Sequence, residues 1–218
     1  MQHKETMSRI IGSYDSTLIR AYCWGRFKIL RQRFLEEIGQ YMPDEGVVLD
    51  IGSGIGMFAM YFAHQHPRLT IRGFDLNEAR VALSQRAAAR LKLENVHFKS
   101  GRAEDYRAES GTGCQAIYIL DVMHHMPPET VPGLIEALFE TLEPGGRLIV
   151  KEVDTKPTYK RLFTHALDLM MDRKHPPHYR SNEEMRALLA SAGFKVYQHA
   201  MIDILPYPHV IYVCEKPA

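Results

Sequence analysis

The feature that most constrains the fold of this chain is the alternation, from residue 47 onward, of short apolar segments with longer helical ones. The short segments are rich in β-branched and aromatic residues, as buried strands are. In order they read GVVLDIG, LTIRGFD, VHFKSG, AIYILD and GRLIVKEV. A parallel strand pair needs a crossover connection, usually a helix that covers one face of the sheet. The alternation therefore predicts a doubly wound α/β domain built on a mostly parallel sheet.

The C-terminal end departs from this alternation. The segments FKVYQHAMI and HVIYVCEK are separated by DILPYP, which carries no helical pattern. Strands joined without a crossover helix pair in antiparallel fashion. We therefore predict seven strands, the last two forming an antiparallel hairpin at the end of the sheet.

Turn and cap residues predict where some of these elements begin and end. Residues 144–146, Pro-Gly-Gly, are expected to end one helix and turn into the strand RLIV. Ser181 and Glu184 have the spacing of a capping box, and Gly193 is a typical helix stop. These signals predict a helix between Ser181 and Gly193.

Composition excludes several classes of protein. The 27 Lys and Arg residues balance 26 Asp and Glu residues, so the net charge of +1 does not favour a nucleic-acid partner. Three cysteines, far apart and outside any CxxC pattern, indicate a reducing compartment and buried small side chains. No apolar run reaches the roughly 20 residues that cross a bilayer, and the first residues lack the apolar core of a secretory signal. We expect a cytoplasmic protein.

Two segments lie outside the regular alternation, and they set the predicted domain boundaries. Residues 1–42 are predicted to form a helical N-terminal cap, residues 43–218 the main domain, and residues 155–180 a helical insertion in it. Apolar residues recur at helical spacing from Phe27 to Ile38, so part of the cap is expected to pack on the domain. An aromatic cluster precedes that helix: Tyr14, Tyr22 and Trp24.

The first strand runs into a glycine-rich turn, with Gly52, Gly54 and Gly56 after Asp50. Glycines let a backbone approach a ligand closely, and amides at a helix N-terminus face it. A dinucleotide loop of the form G-x-G-x-x-G would need glycine at position 57, where Met57 stands. Asp50 suits a cationic amino-acid group better than a pyrophosphate. The loop thus argues against an NAD-linked oxidoreductase, which is kept as an alternative.

A second acidic residue, Asp75, ends the next strand, 19 residues after Gly56. A carboxylate at about that spacing can accept hydrogen bonds from both hydroxyls of a ribose. The following residue, Leu76, would then lie against an adenine ring. The alternative is that Asp50 and Asp75 only cap helices.

Six motifs, in order and over roughly residues 45–215, resemble the class I S-adenosylmethionine-dependent methyltransferases, and specifically their small-molecule branch. They are VLDIGSGIG, FDLN, SGRAEDY, AIYILDVMHHMPPE, LEPGGRLIVKE and SAGFKV. The resemblance implies a Rossmann-like domain that binds S-adenosylmethionine and releases S-adenosylhomocysteine. It also implies methyl transfer by in-line displacement to O, N or C of a small, partly apolar metabolite. A non-catalytic binding or scaffold protein on the same fold is the other alternative.

The resemblance also assigns cofactor-binding residues. They are Asp50, Gly52, Ser53, Gly54, Gly56, Asp75, Leu76, Arg102, Ala103, Glu104 and Asp121. The glycine loop would wrap the methionine part, with Asp50 near its ammonium group, and residues 120–122 would lie beside the sulfonium. Residues 102–104 would contact the adenine edge. Arg102 stands where the family often has Asp, so the adenine amino group would be bound by Glu104, by Asp105 or by backbone carbonyls.

Three residues are candidates for catalysis because they lie at the ends of the fourth and fifth strands. His124 and His125 follow the fourth strand, and either could take a proton from a hydroxyl or amine. Glu152 lies in the fifth strand and could polarise a nucleophile. The alternatives are that a histidine only packs and hydrogen-bonds backbone, and that Glu152 only pairs with a lysine. Asp121 and Asp154 match metal-dependent O-methyltransferases poorly, so we predict no metal.

The predicted acceptor is a small molecule. The residues after the fourth strand, DVMH, lack the Asn-Pro-Pro-Tyr-like stretch of enzymes that methylate exocyclic amino groups of bases or glutamine. They also lack the nucleophilic cysteine of cytosine C5 chemistry. The insertion carries apolar residues on one helical face, from Leu162 to Met171, which could line an acceptor pocket. Ordinary packing and contact with an anionic membrane surface are the alternatives for that helix.

Overall fold

A computed structural model describes residues 2–102, 112–156, 177–201 and 208–218 of the 218-residue chain. Its seven strands are β1 Gly46–Ile51, β2 Leu69–Asp75, β3 Val96–Ser100, β4 Cys114–Leu120, β5 Leu142–Val153, β6 Lys195–Ala200 and β7 His209–Glu215. They form one sheet in the order β3-β2-β1-β4-β5-β7-β6. Strand β1 pairs with β2, and β2 with β3, in parallel, whereas β7 pairs with β5 and β6 in antiparallel fashion. The predicted fold, including the antiparallel C-terminal hairpin, is confirmed.

Seven α-helices lie in the described part of the chain. They are α1 Gln2–Gly12, α2 Thr17–Ile29, α3 Gln32–Gln40, α4 Met57–Gln65, α5 Glu78–Leu91, α6 Val131–Thr141 and α7 Asn182–Ser191. Two short 3-10 turns, Met123–His125 and Pro128–Thr130, follow β4. In the described ranges, no helix is long and apolar enough to cross a membrane.

The chain divides into two compact units. Among the described residues, the first comprises residues 2–102 and 114–116, and the second comprises residues 112–113, 117–156, 177–201 and 208–218. Within the first unit, most apolar residues of β1 and α4 are buried, as expected for a helix that packs on a sheet. Within the second, β7 is buried over six of its seven residues.

The capping signals are confirmed. Helix α7 starts after Ser181, whose hydroxyl accepts from the amide of Glu184 while the Glu184 carboxylate accepts from the amide of Ser181. Gly193 has a φ of 99°, the left-handed conformation that follows a helix end. All three cysteines are buried thiols, as predicted.

Two predicted boundaries differ in the structure. The helix expected to end at residues 144–146 ends at Thr141, because the Pro-Gly-Gly segment belongs to β5. The amide of Gly145 donates to the carbonyl of Lys216 at 3.0 Å, and the amide of Lys216 donates to Gly146 at 2.9 Å. These bonds continue the β5–β7 ladder beyond the segment that local propensity favours.

The N-terminal cap region also differs from the prediction in detail. The expected continuous helix from Phe27 to Ile38 is broken, because α2 ends at Ile29 and α3 begins at Gln32. Tyr22 and Trp24 lie within α2 rather than before it, and both are exposed, whereas Tyr14 is buried. The aromatic residues predicted as one cluster therefore have different surroundings.

Candidate functional site

The glycine loop between β1 and α4 depends on its glycines for two different reasons. Gly52, Gly54 and Gly56 have φ angles of 72°, 57° and 80°, which side-chain-bearing residues rarely adopt. A Cβ on Gly56 would also lie 2.5 Å from the Phe98 ring and 2.6 Å from Ser84 Cβ. A Cβ on Gly54 would meet nothing within 4 Å. Gly56 is thus required by packing as well as by its backbone, and Gly54 by its backbone alone.

Strand β2 anchors this loop. The amides of Gly52 and Ser53 both donate to the carbonyl of Phe74, at 2.8 and 2.9 Å. The amide of Gly54 donates to Oδ2 of Asp75 at 2.8 Å, and the amide of Asn77 donates to Oδ1 at 2.8 Å. Each carboxylate oxygen has a further lone pair for another donor. Asp75, predicted to hold a ribose, therefore also fixes the loop and the turn before α5.

Near the loop, the sequence did not indicate a role for Gly73, and it placed Tyr14 in an aromatic cluster without indicating its partner. Gly73 lies where a Cβ would approach Phe98 to 2.6 Å and the Cβ of Ser53 to 2.9 Å, so β2 needs a glycine there for close packing. The sequence feature that could have indicated this role is a glycine inside a strand of mostly apolar residues. Tyr14 donates its hydroxyl to the carbonyl of Ile55 at 2.8 Å, a contact between residues 41 apart that no local pattern indicates.

The loop and its neighbours fit an adenosine-bearing ligand with a methionine part. The buried hydroxyl of Ser53 has no hydrogen-bond partner among the described residues. Leu76 is 73% exposed, which is unusual for a leucine and suits a side chain that covers an adenine face. Asp50 is buried near the end of β1, and Arg102 is exposed after β3. Ala103 and Glu104 lie outside the described residues.

In the second unit, the turn after β4 is built around a buried ion pair. Asp121 has a φ of 59°, one of only two positive values among the described non-glycine residues. Its amide donates to the carbonyl of Lys151 at 2.9 Å, and its carboxylate accepts from the Lys151 ammonium at 2.5 Å. Lys151 is fully buried. Asp121 was predicted to lie near a sulfonium, and the structure shows it paired with a lysine of β5.

The next residue of β5, Glu152, organises the 3-10 turn that carries the histidines. Its Oε1 accepts from the amides of Met123 and Val122, at 2.8 and 3.2 Å. Its Oε2 lies 2.5 Å from Nδ1 of His124, and both side chains are about 95% buried. Among the described residues Glu152 thus pairs with His124, while its neighbour Lys151 pairs with Asp121.

This geometry fixes the tautomer of His124. An ionised carboxylate can only accept, so Nδ1 carries the proton that is shared with Glu152. In the neutral ring the lone pair is then on Nε2, where it can act as a base. We call His124 and Glu152 the dyad. His125 is exposed, with its ring centroid 4.1 Å from that of His124.

The last residues of the predicted insertion pack against the dyad. The amide of His178 donates to the carbonyl of His124 at 2.7 Å, and the ring centroid of Tyr179 lies 5.5 Å from that of His124. Most of the insertion, residues 157–176, lies outside the described residues, as does its predicted apolar face. The prediction of an acceptor pocket in that helix stays a prediction.

Asp154, at the end of β5, takes part in a separate hydrogen-bond network. Its Oδ2 accepts from the side-chain amide of Asn182 at 2.9 Å, and Asn182 accepts from the hydroxyl of Tyr212 at 2.6 Å. Burial raises the pKa of Tyr212, and the nearby Asp154 and Glu152 raise it further, so Tyr212 stays a donor. The described residues contain no group of three or more His, Cys, Asp or Glu side chains that could hold a metal ion.

Comparison with known proteins gives one family. The sequence model of a family described as "Methyltransferase domain" matches residues 17–199. Demethylspheroidene O-methyltransferase of Rhodobacter capsulatus is 27% identical over 161 residues, 70% of this chain and 37% of that protein. Demethylsterigmatocystin 6-O-methyltransferase of Emericella nidulans is 22% identical over 173 residues, 78% of this chain and 80% of that protein. The ribosomal RNA small subunit methyltransferase G of Streptococcus pneumoniae is 27% identical over 61% of this chain and 54% of that protein.

Solved structures agree on the fold. The apo structure of the S-adenosylmethionine-dependent methyltransferase SibL has a TM-score of 0.70 at 21% identity, over 92% of this chain and 58% of that one. An O-methyltransferase family protein from Burkholderia thailandensis has a TM-score of 0.71 at 17% identity, over 92% and 60%. This chain therefore spans less than two thirds of the length of several of the proteins it matches.

Proposed function

The chain belongs to this methyltransferase domain family, and on that premise we propose that it transfers the methyl group of S-adenosylmethionine to a hydroxyl oxygen of a small, partly apolar molecule. The observation that carries the choice of oxygen is the buried dyad of His124 and Glu152. A hydroxyl arrives protonated, and its oxygen becomes a strong nucleophile only as the proton leaves. A carboxylate-oriented imidazole is suited to take that proton.

In this proposal the first unit binds the methyl donor. The glycine loop, Ser53 and Asp75 would hold its amino-acid and ribose parts, and Leu76 would lie against adenine. The support is the hydroxyl of Ser53, which lacks a partner among the described residues, and the exposed side chain of Leu76. When bound, S-adenosylmethionine supplies an electrophilic methyl group on a sulfonium sulfur and leaves as S-adenosylhomocysteine.

The chain's own part in the chemistry would be to accept a proton and hold the reactants in line. Nε2 of His124 would take the hydroxyl proton, and the carboxylate of Glu152 would stabilise the imidazolium that results. The proton would then pass to solvent. Alignment and exclusion of water would provide the rest of the acceleration, since a methyl displacement needs little else.

The class of acceptor is proposed from charge and from relatives. Two of the relatives are named as O-methyltransferases of demethylspheroidene and demethylsterigmatocystin, which supports a small molecule with a hydroxyl group. The relative named for ribosomal RNA makes RNA the competing acceptor. The near-neutral charge of this chain, +1, does not favour RNA.

Calorimetry with S-adenosylhomocysteine tests the donor site. We expect binding by the wild-type protein and a loss of affinity of at least about tenfold in Asp75→Ala, since a carboxylate that accepts from hydroxyls is removed together with an anchor of the loop. A variant of an exposed carboxylate, Glu129→Ala, is the control. Unchanged affinity in Asp75→Ala would remove Asp75 from the site, and no binding by the wild-type protein would overturn the donor assignment.

Transfer of a labelled methyl group tests the reaction. The protein would be incubated with labelled S-adenosylmethionine and one acceptor pool at a time: a small-molecule extract, a panel of hydroxyl-bearing apolar compounds, or ribosomal RNA. We expect label on oxygen of a small molecule. Label on RNA would overturn the acceptor class, label on nitrogen would overturn the role of the dyad, and binding without transfer to any pool would favour a scaffold protein.

A further inference from the structure

The linker between α1 and α2, residues 13–16, is held by two arginines. Nε of Arg20 donates to the carbonyl of Tyr14 at 2.6 Å. Arg90, in the last turn of α5, donates to the carbonyl of Ser13 at 2.7 Å and to the carboxylate of Asp15 at 2.8 Å. A linker that is held at three successive residues has little freedom to reorient. The position of the Tyr14 side chain is therefore fixed by the bonds that hold the linker.

The side chain of Tyr14 points to the glycine loop. It is 2% exposed, and its hydroxyl donates to the carbonyl of Ile55, the residue between Gly54 and Gly56. Burial raises the pKa of Tyr14 well above its usual value, so the hydroxyl is a donor at neutral pH. Strand β2 holds the first half of the loop through Phe74 and Asp75. Tyr14 contacts its second half from the N-terminal region.

We propose that Tyr14 is a positioning residue for the cofactor loop, through which the N-terminal linker keeps residues 54–56 in the conformation that binds the methyl donor. The identity of the ligand rests on the proposed function. A loop with glycine at alternate positions has many conformations of similar energy. A contact that disfavours the non-binding conformations before the ligand arrives increases affinity, because the loop then loses less conformational entropy on binding.

Linkage makes the effect reciprocal. If Tyr14 favours the binding conformation of the loop, then a bound ligand favours the Tyr14 contact by the same factor. S-adenosylhomocysteine should therefore slow amide hydrogen exchange in residues 13–16 as well as in residues 52–57. A tyrosine that only fills space in the core would not transmit ligand binding to the linker.

The test compares Tyr14→Phe with Tyr61→Phe. Tyr61 is a matched control, since it is 3% exposed and its hydroxyl contacts Nδ1 of His3 at 2.8 Å rather than the loop. We expect Tyr14→Phe to raise the Kd for S-adenosylhomocysteine about fivefold and to speed exchange of the loop amides by a similar factor. Its KM for the donor should rise more than its kcat falls. Tyr61→Phe should change the Kd less than about twofold.

A second variant guards against a folding effect at the buried position. Arg90→Gln removes the contacts to Ser13 and Asp15 at an exposed site, and we expect a smaller shift of Kd in the same direction. Equal Kd values and equal loop exchange in Tyr14→Phe and Tyr61→Phe would overturn the proposal. Loop exchange is measured without ligand, so it decides this question even if the wild-type protein fails to bind S-adenosylhomocysteine and the proposed function falls.

Discussion

The loop after β1 and the turn after β4 are both irregular, but backbone groups hold the loop and side chains hold the turn. The first is a backbone structure, in which three glycines have positive φ and the amides of residues 52–54 donate to β2. The second is a side-chain structure, in which Lys151 and Glu152 of β5 bind Asp121 and His124. Backbone amides are suited to hold a ligand, and buried charged groups are suited to move a proton. The two regions therefore have different vulnerabilities.

The largest expected effect is on turnover, at the dyad. In His124→Asn the side-chain amide can still donate to Glu152, so the turn is kept while the base on Nε2 is lost. We expect kcat to fall about 100-fold or more, with the Kd for S-adenosylhomocysteine within about twofold of wild type. Initial rates and calorimetry measure the two quantities.

The exposed neighbour His125 is the matched control for this variant. His125→Asn should retain most of the turnover, because the Glu152 carboxylate binds His124 and the His125 side chain is exposed. If turnover falls in His125→Asn but not in His124→Asn, the base is His125. If turnover falls in neither variant, proximity alone accelerates the reaction.

The next effect is on stability, at the buried ion pair. In Lys151→Met the Asp121 carboxylate loses its ammonium partner. The Asp121 side chain is only 12% exposed, so water replaces that partner poorly. We expect the free energy of unfolding to fall by about 3 kcal/mol in urea titrations. Adding Asp121→Asn should recover most of the loss, since asparagine tolerates the positive φ and carries no charge. Additive losses in the double variant would show that the pair is not coupled.

The last comparison separates the glycines of the loop and contains the smallest expected effect, that of Gly54→Ala. Gly54→Ala should cost about 1 kcal/mol of unfolding free energy, the price of a left-handed alanine alone. Gly56→Ala should cost about 3 kcal/mol, because the added Cβ also meets Phe98 and Ser84. Chemical denaturation of the two variants gives the difference. Equal costs would mean that Phe98 moves aside without penalty.

Elements with local signals were predicted closely. Strand β2 has the predicted bounds, and α7 begins at its predicted capping box, because turn and cap residues act on their own neighbours in sequence. The end of α6 was placed too late, because β5 is extended by pairing with residue 216, which lies 71 residues after Gly145 (216 − 145 = 71). Long-range pairing overrode a local turn signal.

The sequence by itself determined the fold class, the glycine loop with Asp75 and the set of candidate histidines and carboxylates. Periodicity, glycine spacing and capping are properties of neighbouring residues. Only the tertiary structure decided which of those groups act together. Glu152 meets His124 across 28 residues, Lys151 takes Asp121 instead, and Tyr14 reaches Ile55 across 41 residues. Such partners depend on where distant segments come together, and no local pattern records that.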